Sequence, residues 1–179
     1  GGVPAPLAVS AGLIVGMVCG WINGVLVTYV RLPPFIVTLG TWSVFFALNL
    51  WYSESATVRG TDMSSLLLWT GETFTVFDTQ VTYGSVIMLA LFTAMGFALR
   101  MTAWGRHVYA TGDDLEAARL AGIRTNRVLL SVYTVAGLVY AIGAWILMGR
   151  LASASPNVGT EYNLNSITAV VLGGTSLFG

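Results

Sequence analysis

Long apolar runs alternate with polar segments along this chain. Residues 7–30 contain no charge and no proline, and residues 35–52 form a second uncharged run. A helix over the first run would be about 36 Å long, which is enough to cross a hydrocarbon core of roughly 30 Å. Apolar runs at about 84–102 and 128–151 predict two more membrane spans, and residues 167–172 begin a fifth apolar element. The pattern predicts an all-α, polytopic integral membrane protein with four transmembrane helices and the start of a fifth.

The composition agrees with a membrane protein and disfavours other classes. Of the 179 residues, 55% are hydrophobic and 9% are charged, whereas a soluble domain has roughly 25% charged residues. The mean hydropathy is +0.77 and the net charge is zero, so we expect no nucleic-acid partner. A single cysteine, Cys19, and a single histidine, His107, provide no set of side chains for a disulfide or a metal cluster. The nucleotide-binding motif G-x-x-x-x-G-K-S/T does not occur in the sequence. We therefore predict no metal site, no catalytic residues and no enzymatic activity of the chain itself.

Arginine residues decide which end of each span faces the cytoplasm, because cytoplasmic loops carry an excess of basic residues. Alternation of the spans puts residues 31–34 and 100–127 on one side, and the amino terminus, residues 53–83 and residues 152–166 on the other. Six of the eight arginines fall on the first side: Arg31, Arg100, Arg106, Arg119, Arg124 and Arg127. We therefore predict a cytoplasmic loop at 103–127 and extracytoplasmic loops at 53–83 and 152–166.

The spans and loops form one membrane domain over residues 1–179. The chain begins with GGVPAP rather than Met or a signal peptide, and it stops at GGTSLFG, directly after an apolar run. We therefore expect it to be an internal fragment of a longer protein.

The cytoplasmic loop contains signals for a short, separately capped helix. Gly112-Asp113 followed by Glu116 has the spacing of a capping box, with Asp113 as the N-cap and Glu116 at the third helical position. Gly122 suits the left-handed residue that ends a helix. Between these signals we predict a helix of about eight residues, roughly 12 Å long. The residues alone leave open whether this helix is a rigid docking element or a well-capped connector.

Within this loop, the pattern Glu116-Ala117-Ala118-x-x-x-Gly122 resembles the EAA loop of permease subunits of bacterial ABC importers. The longer string GRHVYATGDDLEAARLAGI is similar to the loop of the ribose/xylose/fructose-type sugar permeases, in the branched-chain amino acid/ribose permease superfamily. Four more segments resemble that family in the same order: Asn23-Gly24, LPPFIVTLGT, SASPNVGTEY and VVLGGTSLFG. The Ile-x-Leu-Pro of other importer permeases does not occur, because residues 130–133 are LSVY. This departure favours the sugar/branched-chain class over the maltose-type class.

The resemblance implies the fold and the partners of the complete protein. It implies an α-helical permease subunit with approximately ten spans in the bacterial cytoplasmic membrane, of which this chain would be the central part. The loop helix would dock on a separate ATPase subunit that binds ATP and Mg, so no cofactor is expected in this chain. Further implied partners are an extracytoplasmic sugar-binding protein, a second permease protomer (a homodimer is expected) and membrane lipid. The coupling positions implied by the resemblance are Gly112, Asp113, Asp114, Glu116, Ala117, Ala118, Arg119 and Gly122.

Polar side chains in the first two predicted spans suggest a pathway for a neutral substrate. Thr38, Thr41, Trp42 and Asn49 lie among bulky apolar residues, and Asn23 is the lone amide of the first span. Hydroxyls, amides and an aromatic face suit a sugar, although threonine hydroxyls also bond to carbonyls of their own helix. No acidic or basic residue lies well inside a span. This disfavours coupling through a buried carboxylate and favours energy supplied from outside the bilayer.

Four glycines of the first span, Gly12, Gly16, Gly20 and Gly24, recur at every fourth position. Small residues let helix backbones approach closely in a membrane, so we predict that this stripe is a packing face. The stripe winds by about 40° at each step of four residues. Asn23 lies nearly on the face of Gly16, so we expect its amide to point into the packed seam.

Three functions are open from the sequence. The first is the transmembrane subunit of an ATP-driven ABC importer that moves a monosaccharide. The second is an ABC permease for branched-chain amino acids, which the lack of charges in the spans disfavours because an amino acid needs ionic partners. The third is a secondary transporter or channel. The long outer loop at 53–83 likewise has two interpretations, a docking surface for the binding protein or an ordered lid.

Overall fold

A computed structural model describes residues 4–76 and 79–174 of the chain. The helices of this part are α1 (Ala5–Thr28), α2 (Pro34–Ser53), α3 (Ser65–Leu68), α4 (Tyr83–Met101), α5 (Ala103–Asp113), α6 (Leu115–Leu120), α7 (Thr125–Leu151) and α8 (Thr160–Leu172). The short strands are β1 (Val58–Arg59), β2 (Thr73–Val76), β3 (Thr79–Thr82) and β4 (Ser153–Ala154).

Four of these helices are long and apolar enough to cross a membrane. They are α1, α2, α4 and α7, with 24, 20, 19 and 27 residues. The predicted fold class, an all-α polytopic membrane protein, is therefore confirmed. The helices expose large apolar side chains, such as Phe92 on α4, which is 71% exposed. Lipid or further helices would cover such surfaces in the membrane.

Proline residues set the boundary between α1 and α2. Pro34 is the first residue of α2, where the missing N–H has no helical partner to lose. α1 ends at Thr28, and Arg31 in the following turn has a left-handed φ of 60°. Leu32 precedes a proline, which disfavours helical backbone angles at that position. A tight turn therefore joins the first two spans.

The closest packing of spans lies between α1 and α7. A Cβ on Gly16 would lie 2.5 Å from the Cβ of Ala141, and a Cβ on Gly24 would lie 2.9 Å from Cδ1 of Leu130. Because the later α1 residue meets the earlier α7 residue, the two helices run antiparallel. Both distances are shorter than van der Waals contact. A side chain at Gly16 would force the helices apart, because the carbonyl oxygen of Gly137 also lies 2.8 Å away, whereas at Gly24 the end of the Leu130 side chain could shift.

Gly20 and Gly137 face each other at the centre of this contact. A Cβ on Gly20 would overlap the carbonyl oxygen of Tyr133 and lie 3.0 Å from the Cα of Gly137. In return, a Cβ on Gly137 would overlap the carbonyl oxygen of Gly16. The sequence analysis singled out the glycines of α1 but missed Gly137, because a packing partner on a distant helix has no local signal.

Gly12 does not belong to this contact, although the sequence pattern grouped it with the other three glycines. It is exposed, and a Cβ added there would meet nothing within 4 Å. The stripe winds by about 40° per step, so Gly12 lies two steps, or about 80°, away from the direction of Gly20. The packing face within the described chain therefore comprises Gly16, Gly20 and Gly24.

The two outer segments are tied to each other by a two-residue ladder, which we call the strap. β1 pairs antiparallel with β4, with Val58 opposite Ala154 and Arg59 opposite Ser153. β2 and β3 form a separate antiparallel hairpin. The strap places the segment after α2 and the segment after α7 at the same end of the bundle, as the predicted alternation of the spans requires.

The outer segment also packs on α7 through a 3-10 turn at Trp69–Gly71. Thr70 is 1% exposed, and its hydroxyl donates a hydrogen bond of 3.3 Å to the carbonyl of Trp145. A Cβ on Gly149 would overlap the side chain of Thr70. The described part of 53–83 therefore packs on α7, and its predicted role as a docking surface or lid stays a prediction. Asp78, an acidic residue of this segment, lies outside the described residues.

α8 begins at Thr160, inside the segment that the sequence analysis treated as a polar loop. Gly159 precedes the helix with a left-handed φ of 91°, and its carbonyl accepts a hydrogen bond of 3.1 Å from the N–H of Tyr162. Backbone geometry, not hydropathy, sets the first turn of this helix, so it begins before the apolar element predicted at 167–172. The family-like ending at 175–179 lies outside the described residues.

Candidate functional site

Residues 103–123 form a compact helical element between α4 and α7, which we call the knob. α5 and α6 make up most of it, so the predicted cytoplasmic loop is largely helical. Thr102 caps α5, since its hydroxyl accepts a hydrogen bond of 3.2 Å from the N–H of Gly105. A Cβ on Gly105 would overlap the backbone of Leu99. Only glycine therefore permits the sharp turn that leads from α4 into the knob.

The N-cap of α6 is Asp114, and the prediction of Asp113 was wrong. The Asp114 carboxylate accepts hydrogen bonds from the N–H groups of Glu116 and Ala117, at 2.9 and 3.0 Å. Asp114 has extended backbone angles, φ −147° and ψ 111°, whereas Asp113 is the last residue of α5. An N-cap requires a non-helical backbone, so only Asp114 can serve. α6 consequently has six residues rather than about eight.

The end of α6 is a Schellman turn built on Gly122. The N–H of Ile123 bonds to the carbonyl of Ala118, and the N–H of Gly122 bonds to that of Arg119, both at 3.0 Å. Gly122 has a φ of 84°, which any other L-residue adopts only with strain. The Glu116–Arg119 ion pair spans 3.8 Å but is exposed, so it contributes little to stability. The Asp114 carboxylate at the start of α6 and backbone hydrogen bonds at its end therefore cap this helix at both ends.

The positions that the family resemblance assigns to coupling lie mostly on the surface of the knob. Ala118 is 4% exposed and faces inward. The other seven are exposed: Gly112, Asp113, Asp114, Glu116, Ala117, Arg119 and Gly122. Their contact with an ATPase stays a prediction. Beside them lies Leu120, which is 88% exposed on the same short helix and which no sequence motif indicated.

A partly buried hydrogen bond joins the knob to α7. The indole N–H of Trp104 donates to the hydroxyl of Ser131 at 2.8 Å, and that hydroxyl donates to the carbonyl of Val128 at 2.7 Å. Both side chains are partly buried. The sequence analysis missed the pair, because a tryptophan and a serine so far apart have no characteristic spacing.

The pathway candidates divide into two groups. Thr41 donates a hydrogen bond of 2.6 Å to the side-chain oxygen of Asn23, which joins α2 to α1. The amide of Asn23 therefore faces α2, and the prediction that it points into the glycine seam was wrong. Asn23 lies beside the seam, so its side chain reaches Thr41 on α2. Thr38 bonds to the carbonyls of Pro34 and Phe35 on its own helix, at 3.0 and 3.2 Å, as the self-bonding alternative predicts.

The other two candidates, Trp42 and Asn49, line cavities at the outer end of the bundle. One cavity of about 250 Å³ lies between the α2 side chains Trp42, Phe46 and Asn49 and the segment after the strap. A second, of about 490 Å³, extends from Asn49 along α7 to the strap. Trp42 stacks on Phe46 with ring centroids 5.8 Å apart. The structure thus brings the aromatic ring of Trp42 and the amide of Asn49 into the lining of one cavity. Asn23 and Thr41 do not line it.

Comparison with known proteins places this architecture among transport proteins. The family model described as "Branched-chain amino acid transport system / permease component" matches residues 2–179. The fructose import permease protein FrcC of Rhizobium meliloti is 50% identical over 181 residues, which cover 99% of this chain and 50% of that protein. The ribose import permease protein RbsC of Bacillus subtilis is 40% identical over 182 residues, which cover 99% of this chain and 54% of that protein. The galactose/methyl galactoside import permease protein MglC of Haemophilus influenzae is 31% identical over 187 residues, which cover 100% of this chain and 54% of that protein.

The chain spans about half the length of these curated relatives. No solved structure matches it. The resemblance to sugar import permeases is confirmed over nearly the whole chain. The four helices of spanning length agree with a multi-pass protein of the inner membrane. The chain belongs to the family of permease components of branched-chain amino acid transport systems, and its relatives include fructose and ribose import permeases.

Proposed function

We propose that the chain is part of the transmembrane subunit of an ATP-driven importer that moves a monosaccharide across the cytoplasmic membrane. The observation that carries the proposal is the knob, a rigid element on the side that the arginines assign to the cytoplasm. Relatives named as fructose, ribose and galactose import permeases support the sugar class. Energy would come from a separate ATPase subunit, which would bind ATP and Mg.

The exposed surface of the knob would be the ATPase contact. Leu120 is 88% exposed and Leu115 is 41% exposed, and both belong to the short, doubly capped α6. An apolar side chain on a rigid support loses little entropy when a partner covers it, so it contributes efficiently to binding. Leu120 would therefore anchor the contact, with the exposed coupling positions around it.

α7 would transmit movement of the knob to the outer side of the membrane. It is a single helix of 27 residues, about 40 Å long, and it begins directly after the knob. The Trp104–Ser131 hydrogen bond fixes the knob to the inner end of α7. At the outer end, Met148 and Leu151 line the larger cavity. A rigid element that contacts both sites can bias both, which is the physical requirement for coupling.

Further partners follow from the same proposal. A second permease protomer would complete the pathway, expected as a homodimer, and lipid would cover the remaining apolar surface. An extracytoplasmic sugar-binding protein would deliver the sugar to the outer segments. Exposed apolar residues on the spans support contacts with a second protomer and with lipid. The acidic residues of the outer segments support docking of a binding protein.

The test is ATP-dependent uptake of radiolabelled fructose and ribose into proteoliposomes that hold the full-length permease, its ATPase and its binding protein. Leu120→Glu places a charge in the proposed contact, so we expect co-purification of the ATPase and sugar uptake to fall at least about tenfold. Leu120→Met keeps an apolar side chain of similar size and should retain both. Wild-type uptake and co-purification in Leu120→Glu would overturn the coupling role of the knob.

Branched-chain amino acids are the second candidate substrate, because the description of the matching family names them. Uptake of radiolabelled leucine in the same proteoliposomes, with no uptake of fructose, ribose or galactose, would favour this candidate. A secondary transporter or channel would instead move its substrate when ATP and the ATPase are left out. Either result would overturn the proposed function.

A further inference from the structure

The two outer cavities adjoin each other and share part of their lining. Asn49, Pro156 and Val158 contribute to both. The larger cavity, about 490 Å³, lies in the range of roughly 300–1,000 Å³ that small-molecule sites occupy. The larger cavity lies between the outer ends of α2 and α7 and the strap, whereas the smaller one lies between α2 and the segment after β4. Neither is lined by residues of the knob or of the glycine seam.

The lining has the chemistry of a site for a neutral polyol. Trp42 is 40% exposed although one part of its ring stacks on Phe46, so aromatic surface remains available. No hydrogen bond engages the amide of Asn49 within the described residues. Ser53 and Ser155 add hydroxyl groups to the larger cavity. No acidic or basic side chain of the described residues lines either cavity. An ionic substrate would therefore find no partner here, whereas a sugar finds an aromatic face and hydrogen-bonding groups.

The strap forms one wall of the larger cavity, through Val58, Ser153 and Ala154. Its pairing covers two residues on each side, and so short a ladder is marginally stable on its own. Its approaches contain left-handed residues that are not glycine: Glu54 and Ser55 before β1, with φ of 49° and 59°, and Ala152 before β4, with φ of 47°. Glu54 and Ala152 are the C-cap residues of α2 and α7, so both connections to the strap leave the ends of these helices.

We infer that the two cavities form an outer vestibule that binds a neutral monosaccharide against Trp42 and Asn49, and that the strap opens and closes it. The inference rests on the proposed function and adds a substrate site and a gate to it. A sugar delivered from outside would lie between α2 and α7 before it enters the membrane. α7 would then link the state of the knob to the state of this vestibule.

Sugar contact is tested by uptake kinetics in proteoliposomes that contain the full-length permease, ATPase and binding protein. Trp42→Ala removes the aromatic face, and we expect KM for fructose or ribose uptake to rise about tenfold, which corresponds to one lost stacking contact. Trp42→Phe keeps an aromatic face and should retain most of the affinity. Asn49→Ala removes the free amide and should raise KM about threefold to tenfold.

Trp51→Ala is the matched control, because Trp51 lies on the same helix, is 79% exposed and lines neither cavity. Its KM should equal that of the wild type. Equal KM values for Trp42→Ala, Trp51→Ala and wild type would overturn the vestibule while the proposed function stands. Absence of ATP-dependent sugar uptake in the wild type would overturn the proposed function itself.

The strap is tested by cross-linking in a Cys19→Ser background, which removes the single native cysteine. Val58 and Ala154 are direct partners in an antiparallel pair, where Cα atoms lie about 4.5–5.5 Å apart, within the range of a disulfide. We expect oxidation of Val58→Cys/Ala154→Cys to stop uptake and a reductant to restore it. Thr75→Cys/Gln80→Cys is the control, since it pins the β2–β3 hairpin instead. Wild-type uptake with the strap fully cross-linked would overturn the gate.

Discussion

Replacing Gly20 with alanine should weaken the packing of α1 on α7. The added Cβ would overlap the carbonyl oxygen of Tyr133 and lie 3.0 and 3.1 Å from the Cα and N of Gly137. All three atoms belong to the backbone of α7, so no rotation of a side chain can relieve the contact. The helices must separate or tilt, and the contacts on both sides of Gly20 loosen with them.

The size of the loss in the free energy of unfolding follows from comparing Gly20→Ala with Gly12→Ala. Both changes gain up to about 1 kcal/mol from the better helix propensity of alanine. Gly12 has nothing within 4 Å of the added Cβ, so its variant has no steric cost. Overpacking at a tight contact costs about 1–3 kcal/mol. The two free energies of unfolding should therefore differ by about 1–3 kcal/mol, with Gly20→Ala the less stable.

The assay is unfolding of the full-length permease in detergent micelles by titration with sodium dodecyl sulfate, monitored by tryptophan fluorescence. Gly137→Ala provides a second test, because its Cβ would lie 2.9 Å from the Cα of Gly20. Since one separation of the helices relieves both contacts, the double variant should be more stable than the sum of the single effects predicts. Equal stability of Gly20→Ala and Gly12→Ala would refute the packing argument.

Three further predictions concern individual hydrogen bonds. Asp114→Ala removes the cap of α6 and should speed amide hydrogen exchange at Ala117, reflecting a loss of about 0.5–2 kcal/mol of local stability. Thr41→Val removes the donor to Asn23 and should lower the free energy of unfolding in the same detergent assay by about 0.5–1.5 kcal/mol. Trp104→Phe removes the indole donor between the knob and α7, so fewer sugar molecules should be transported per ATP hydrolysed.

The first two of these predictions have a control variant in the chain. Asp113→Ala alters the carboxylate that does not cap α6, and equal exchange in both variants would argue against the assignment of Asp114. Ser43→Ala removes a hydroxyl that bonds only to the carbonyl of Leu39, at 3.2 Å, and should change stability less than Thr41→Val. A transport ratio unchanged in Trp104→Phe would show that the knob and α7 are coupled by other contacts.

Some features of the site could be predicted from sequence because their cause is local. The left-handed angle of Gly122 was predicted from glycine at the end of a short helical segment, and its φ is 84°. The choice between two adjacent aspartates was not predictable in this way. Asp113 and Asp114 have the same capping chemistry, and the difference is that α5 extends through Asp113. That boundary depends on how α5 packs between α4 and α7.

The sequence by itself determined that the chain is a polytopic membrane protein of the sugar permease type. Uncharged runs long enough to cross a bilayer and motifs in a fixed order are properties of contiguous residues, so no tertiary contact is needed to recognise them. Only the tertiary structure decided that Gly20 meets Gly137 while Gly12 meets nothing, and that Asn23 turns to Thr41. It also decided that Val58 pairs with Ala154 beside the cavity at Asn49. These contacts join residues that are distant in sequence, and their geometry depends on the rotation and crossing of whole helices, which hydropathy does not encode.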